Sequence, residues 1–235
     1  MSACTHGSGG VGDGSPGPAP TAGLKELKYA SRYHLPPEYA QWERPYQESL
    51  EETAINRERM NMSLPPVDAA FVRFVHPDDA GSVLAGCLRE QGFEATVEWD
   101  GGVSYGSQSA DQQPAMLVAD FRCDVMFPVH PKYTMKHTET QIRIVYDFYV
   151  NELVPCLRAE GYDDIRPAPT WESFLSTYHS KEPHWFPFDA VSKRQEQLAA
   201  DNGGVLPANS HAEWRRINEA CPQGPSVARL FSEGK

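Results

Sequence analysis

The chain has 235 residues, room for one large domain or two small ones; its 40% hydrophobic content, 20 prolines and 18 glycines imply one core of roughly 100 residues with irregular extensions. A formal charge of −11 disfavours nucleic-acid binding, because an acidic surface repels phosphate and lacks the basic stripe that counterion release requires. No apolar run reaches the ~20 residues that span a bilayer, and no basic region followed by an apolar one marks a secretory signal, so a soluble protein of the cytoplasm is expected.

Residues 1–23 are Gly, Ser, Pro, Ala and Thr with little apolar mass, and are expected to be a disordered tail. Residues 24–66 read as an extended or helical N-terminal arm. Tyr29, Tyr33, Tyr39, Trp42 and Tyr46 are scattered around Pro36-Pro37 and Pro45, and a helix with a thin apolar face is expected over 47–62.

The core is expected over 67–167. Ala70, Val72 and Phe74 alternate with Phe71, Arg73 and Val75, as in a short central strand. Asp78 is a candidate cap for a helix over Ala80–Gln91, and Gly92 is its expected left-handed stop. Phe93, Ala95, Val97 and Trp99 alternate with polar residues as a second strand. After a Gly/Ser-rich loop, Leu117, Ala119, Phe121, Cys123, Val125 and Phe127 share one face of a third strand, with Asp120, Arg122 and Asp124 on the other. Thr138 and Gln141 stand at capping-box spacing before a second helix, which Pro155 should kink and Gly161 should end. Tyr162–Arg166 is a weak last strand.

This order is β-α-β twice, the ferredoxin-like α+β arrangement: a four-stranded antiparallel sheet with two helices on one face. An internal repeat agrees with it. Val75-His76-Pro77 leads to Cys87-Leu88-Arg89-Glu90-Gln91-Gly92, and Val129-His130-Pro131 leads, through a longer unit, to Cys156-Leu157-Arg158-Ala159-Glu160-Gly161. Residues 168–235 form an aromatic-rich C-terminal arm. Short helices are expected from Trp171 to Tyr178 behind Thr170, over 191–200, and over 210–220 with Ser210 and Glu213 at capping-box positions. Five cysteines (Cys4, Cys87, Cys123, Cys156, Cys221) form no CxxC pair and are odd in number, the simpler pattern of a reducing compartment.

Three constellations could carry chemistry. In the expected sheet, His76 and His130 lie beyond the carboxyl ends of neighbouring strands, with His137 near the start of the second helix. Three imidazoles beside Asp78, Asp79 and Glu139 could hold Zn or Fe, or act as general acid and base. The favoured reading is plainer: His-Pro is a good way to leave a strand, because the residue before proline prefers extended geometry. The second is the loop of Lys132 and Lys136 leading to Thr138, where a helix N-terminus and two lysines could take a small anion. The third is a sheet face of Arg73, Asp120, Arg122 and Asp124, either a solvated lattice or a binding platform. The expectation is a non-catalytic binding or assembly protein whose arms contact a protein partner or a second copy, without nucleic acid or membrane. The alternative is a metal-dependent or acid–base enzyme using His76, His130 and His137 on a small anionic substrate.

Overall fold

The computed structural model describes residues 27–59, 62, 65–180 and 184–232, so the tail expected to be disordered and Cys4 lie outside the described residues. From Leu27 the chain is irregular until a short 3-10 turn, Pro37–Trp42, which runs directly into α1 (Glu43–Arg59). The apolar face of α1 is narrow: Tyr46, Leu50 and Ala54 recur every fourth residue, and all three are buried. α2 (Pro77–Glu90) opens on a proline whose fixed φ suits the first helical position, and the chain leaves it through Gly92 at φ +89°.

A hairpin follows, β1 (Ala95–Val97) with β2 (Val103–Tyr105), antiparallel with Thr96 opposite Ser104. Its tip lies so close to α2 that a Cβ on Gly81 would stand 2.0 Å from the Gly101 carbonyl oxygen, so only glycine fits there. α3 (Gln113–Met126) again has a proline in its first turn. α4 (Glu139–Phe148) starts in the capping box expected at Thr138 and Gln141, and continues through a π turn, Tyr149–Leu153, into α5 (Val154–Ala159). That wide turn directly precedes Pro155, so the disturbance expected of the proline is absorbed within one continuous helical rod. α6 (Trp171–Tyr178) is capped by Thr170 as expected, and α7 (Asp189–Asp201), α8 (Ser210–Ala220) and α9 (Val227–Leu230) complete the chain. At α8 the cap position is Asn209, and Ser210 is buried as the first helical residue, so the expected Ser210–Glu213 box does not form.

The protein is therefore mostly helical, and the ferredoxin-like α+β core is overturned: among the described residues the only sheet is the two-stranded hairpin. The error turns on α3. Its Phe121 and Val125 pack against Tyr33, Tyr46, Leu50, Ala54 and Val67, while Ala119 and Cys123 pack against Ala85, Leu88 and Ala95. A helix buried on two sides loses its polar stripe, and its sequence then imitates a central strand. The stretch before Val75, expected as a central strand, has no regular secondary structure, and its only bridge is one parallel pair, Val75 with Val129. Val75 N–H donates to the Pro128 carbonyl (3.0 Å) and His130 N–H to the Val75 carbonyl (3.1 Å). Tyr162 and Ile165 pack into the C-terminal core with no strand partner.

That third core is the largest. Phe174, Phe188, Leu153, Leu157, Val191 and Ile217 are almost wholly buried between the α4–α5 rod and the helices after it. Each such side chain contributes about 1.5–3 kcal/mol. Buried aromatics keep their polar ends satisfied: the Tyr46 hydroxyl donates to the Val125 carbonyl (3.0 Å) and Trp185 Nε1–H to the Arg166 carbonyl (2.9 Å).

Cysteine use also differs from expectation. Cys87 bridges to Cys123, joining α2 to α3, and Cys156 bridges to Cys221, joining α5 to the end of α8. The cysteines of the two repeated helix ends are thus each paired with a later helix. A spacing without CxxC says nothing about pairs brought together by folding, and two disulfides suggest an oxidising compartment rather than a reducing one. Among the described residues no helix is long and apolar enough to cross a membrane.

Candidate functional site

The two Val-His-Pro corners lie side by side although the sheet expected to carry them is absent, because the single Val75–Val129 bridge joins them. Their local structure is the same. His76 accepts through Nδ1 from the Asp78 N–H (3.3 Å) and caps α2; His130 accepts through Nδ1 from the Lys132 N–H (3.2 Å) and caps the 3-10 turn Pro131–Tyr133. In both corners the Nδ1 lone pair is thus taken up by the backbone N–H two residues on. Proline follows each histidine because it occupies the first helical position, where its missing N–H costs nothing. The caps also displace an expectation: Asp78, a candidate cap, is instead the residue whose N–H is capped.

The rings sit in an aromatic seam. Tyr133 meets the rings of His76 (5.0 Å between centroids), His130 (6.2 Å) and Phe231 (4.9 Å), while Trp42 and Phe74 contact His130 at 4.8 and 4.6 Å. Burial, then the neighbouring Lys132, holds the His130 imidazole below its ordinary pKa. His137 belongs to a different contact: its Nδ1 is 2.8 Å from the Tyr178 hydroxyl, and its ring touches Phe231. Burial, then His179, lowers its pKa as well. Phe231 thus lies between Tyr133 and His137. Among the described residues, no group of three or more His, Cys, Asp or Glu side chains is arranged to hold a metal ion.

The loop with Lys132, Lys136 and Thr138 is closed by its own capping box. The Thr138 N–H donates to Gln141 Oε1 (2.9 Å) and the Gln141 N–H to the Thr138 hydroxyl (3.3 Å), while the Lys132 ammonium lies 4.6 Å above the Tyr133 ring.

The platform of Arg73, Asp120, Arg122 and Asp124 does not exist as a sheet face. Asp120 and Asp124 are four residues apart on a helix and share one side, and Arg122 lies on the other. Arg57 from α1 supplies their cation: its Nη2 pairs with Asp120 and, at 3.2 Å, with Asp124, while its Nη1 donates to the Leu117 carbonyl (3.1 Å). The Tyr105 hydroxyl donates to Asp120 Oδ1 (2.9 Å). The Asp124 carboxyl is pushed up to about 7, first by burial and then by Asp120, against the pull of Arg57. Its side chain keeps about one-third exposure (35%) and lines a small pocket with Gly81, Leu84, Gly102 and Phe127. Burial, then Asp120, holds the Tyr105 phenol well above its usual range. Arg73 is exposed and stacks over Phe127 at 5.8 Å.

Arg57, Tyr133 and Tyr178 were the residues not singled out from sequence. Only Arg57 had a signal: once 113–126 is read as a helix, two carboxylates on one buried side demand a cation from elsewhere in the chain. The hairpin presents apolar surface, with Val97, Trp99 and Tyr105 exposed and the Arg215 guanidinium 5.8 Å from the Trp99 ring. No family model matches the chain, and no curated protein or solved structure is similar to it.

Proposed function

We propose that the chain is a non-catalytic binding or assembly protein that works in an oxidising compartment and engages a protein partner through its hairpin. The observation that carries this reading is the use made of the two histidines best placed for chemistry. Both Nδ1 lone pairs are held in backbone caps, which gives those imidazoles a structural task. Most aromatic residues of residues 27–59 and 168–232 pack against the chain's own cores, which makes another surface better suited to a partner than the arms expected from sequence. It is the hairpin, where Val97, Trp99 and the outer edge of Tyr105 are exposed and Trp99 lies beside Arg215, the residue types that anchor interfaces.

The test replaces Trp99 with a photo-crosslinking phenylalanine analogue in the full chain and irradiates it in an extract of its own cells or secretions. The expected result is one or a few discrete protein adducts, a second copy of the chain included, that vanish when the analogue sits at exposed Ser176 instead. Equal labelling from both positions, or no protein adduct at Trp99, would sink the proposal.

A further inference from the structure

The structure assigns a binding site for an amphipathic monocarboxylate to the groove at Arg122, on the side of α3 away from the hairpin's Tyr105 and the Arg57 cluster; the inference does not depend on the proposed partner. Arg122 Nε is buried and has no hydrogen-bond partner among the described residues. Asp120 and Asp124, two positions to either side in sequence, point away from it and pair with Arg57. A desolvated guanidinium donor without an acceptor is costly to keep, and such groups in native proteins have a reason, a ligand among them.

The surroundings say what the ligand is. Arg122 lines a groove of about 660 Å³ between the end of α2 and the start of α3, with Phe93, Ala115 and Val118 as its apolar wall. That volume is in the range of small-molecule sites, roughly 300–1,000 Å³. Gln91 also lines it, but its amide is engaged with the Ala119 carbonyl (3.3 Å) and the Cys123 sulfur (3.0 Å), so it offers little to a ligand. Glu90, the other charged group of the lining, is exposed and repels a second anionic group. One planar cation with free donors, set in a mainly apolar trough, suits one carboxylate on an aliphatic or aromatic body, because the guanidinium fork matches carboxylate geometry. The Cys87–Cys123 bridge ties the two helices that form the walls, so the trough is pre-formed rather than assembled on binding.

The experiment is calorimetric titration of the full chain with decanoate, with decylammonium and decanol as matched probes. Decanoate should bind with a dissociation constant below roughly 1 mM, and Arg122→Met should weaken it about tenfold or more. Decylammonium should not bind, and Arg158→Met, at an exposed arginine on α5, should leave decanoate binding unchanged. Arg122→Met removes a buried donor that lacks a partner, so its melting temperature should equal or exceed that of the wild type, which separates lost binding from lost folding. Absence of decanoate binding to the wild type, equal binding by Arg122→Met, or equal binding of decylammonium would each overturn the assignment.

Discussion

Replacing both Cys156 and Cys221 by alanine should lower the stability of this protein by about 4 kcal/mol. The bridge closes a loop across a sequence separation of 65 residues. The loop-closure entropy it removes from the unfolded chain scales with the logarithm of that length, which gives about 4 kcal/mol at 25 °C. The Cys87–Cys123 bridge spans 36 residues, and the same relation makes it weaker by only about 0.5 kcal/mol. For a chain of this size the loss should lower the melting temperature by about 10 °C. Alanine is the right replacement because Cys221 is buried against Ile217 and the C-terminal core, where a serine hydroxyl would bring a separate penalty. Urea unfolding of wild type and double variant measures the difference. Intact mass after denaturing alkylation provides the covalent check: the five cysteines with two bridges should take one alkyl group before reduction and five after. Five groups before reduction, or a double variant as stable as the wild type, would refute both the pairing and the oxidising compartment inferred from it.

Two further outcomes follow from the site. His76→Asn and His130→Asn should each hold stability within about 0.5 kcal/mol because asparagine is a good helix cap, whereas the alanine variants should each lose about 1 kcal/mol, and more at His130, whose ring also packs on Trp42 and Phe74; equal losses for Asn and Ala in chemical denaturation would remove the capping role. The Asp124 carboxyl pKa is raised to about 7 from its ordinary 3.8, so the folded state binds its proton more tightly than the unfolded state. Its contribution therefore declines as pH rises from about 4 to about 7 and stays lowered above that. His130, with its pKa lowered, acts in the opposite sense, its contribution falling as pH drops below its ordinary value. Asp124→Asn should flatten the first slope and gain about 1 kcal/mol at pH 8 after solvent screening of a one-third-exposed group, and an unchanged pH profile would count against the raised carboxyl.

Much of the local structure was legible. Thr138 with Gln141, Thr170, and the two glycine exits Gly92 and Gly161, both at positive φ, report backbone groups that need partners within a few residues. The repeat was legible too: Phe93 N–H reaches back to the Leu88 carbonyl and Tyr162 N–H to that of Leu157, so the two copies end their helices in one way. What escaped was anything decided by tertiary burial. The run Leu117–Phe127 alternates, but Pro114 in the first turn and a length of 14 residues for α3 are helix signals that outweigh alternation once both sides are buried. A period of two rather than 3.6 puts Asp120, Arg122 and Asp124 on one surface, which the helix does not. The true partner, Arg57, lies 63 residues from Asp120, beyond the reach of any local pattern.

Glu51 sets a limit on how short this protein can be made. Its carboxylate is buried and gathers the backbone N–H groups of Lys28 (2.9 Å), Tyr29 (2.7 Å) and Ala30 (3.0 Å). A protease that nicked the chain after Ala30 would strip a sealed anion of three donors at once, a loss no repacking of apolar neighbours could make good. Trimming from the N-terminus past Leu27 should therefore be abruptly damaging, with α1 loosened from α3 although none of its own residues has been cut.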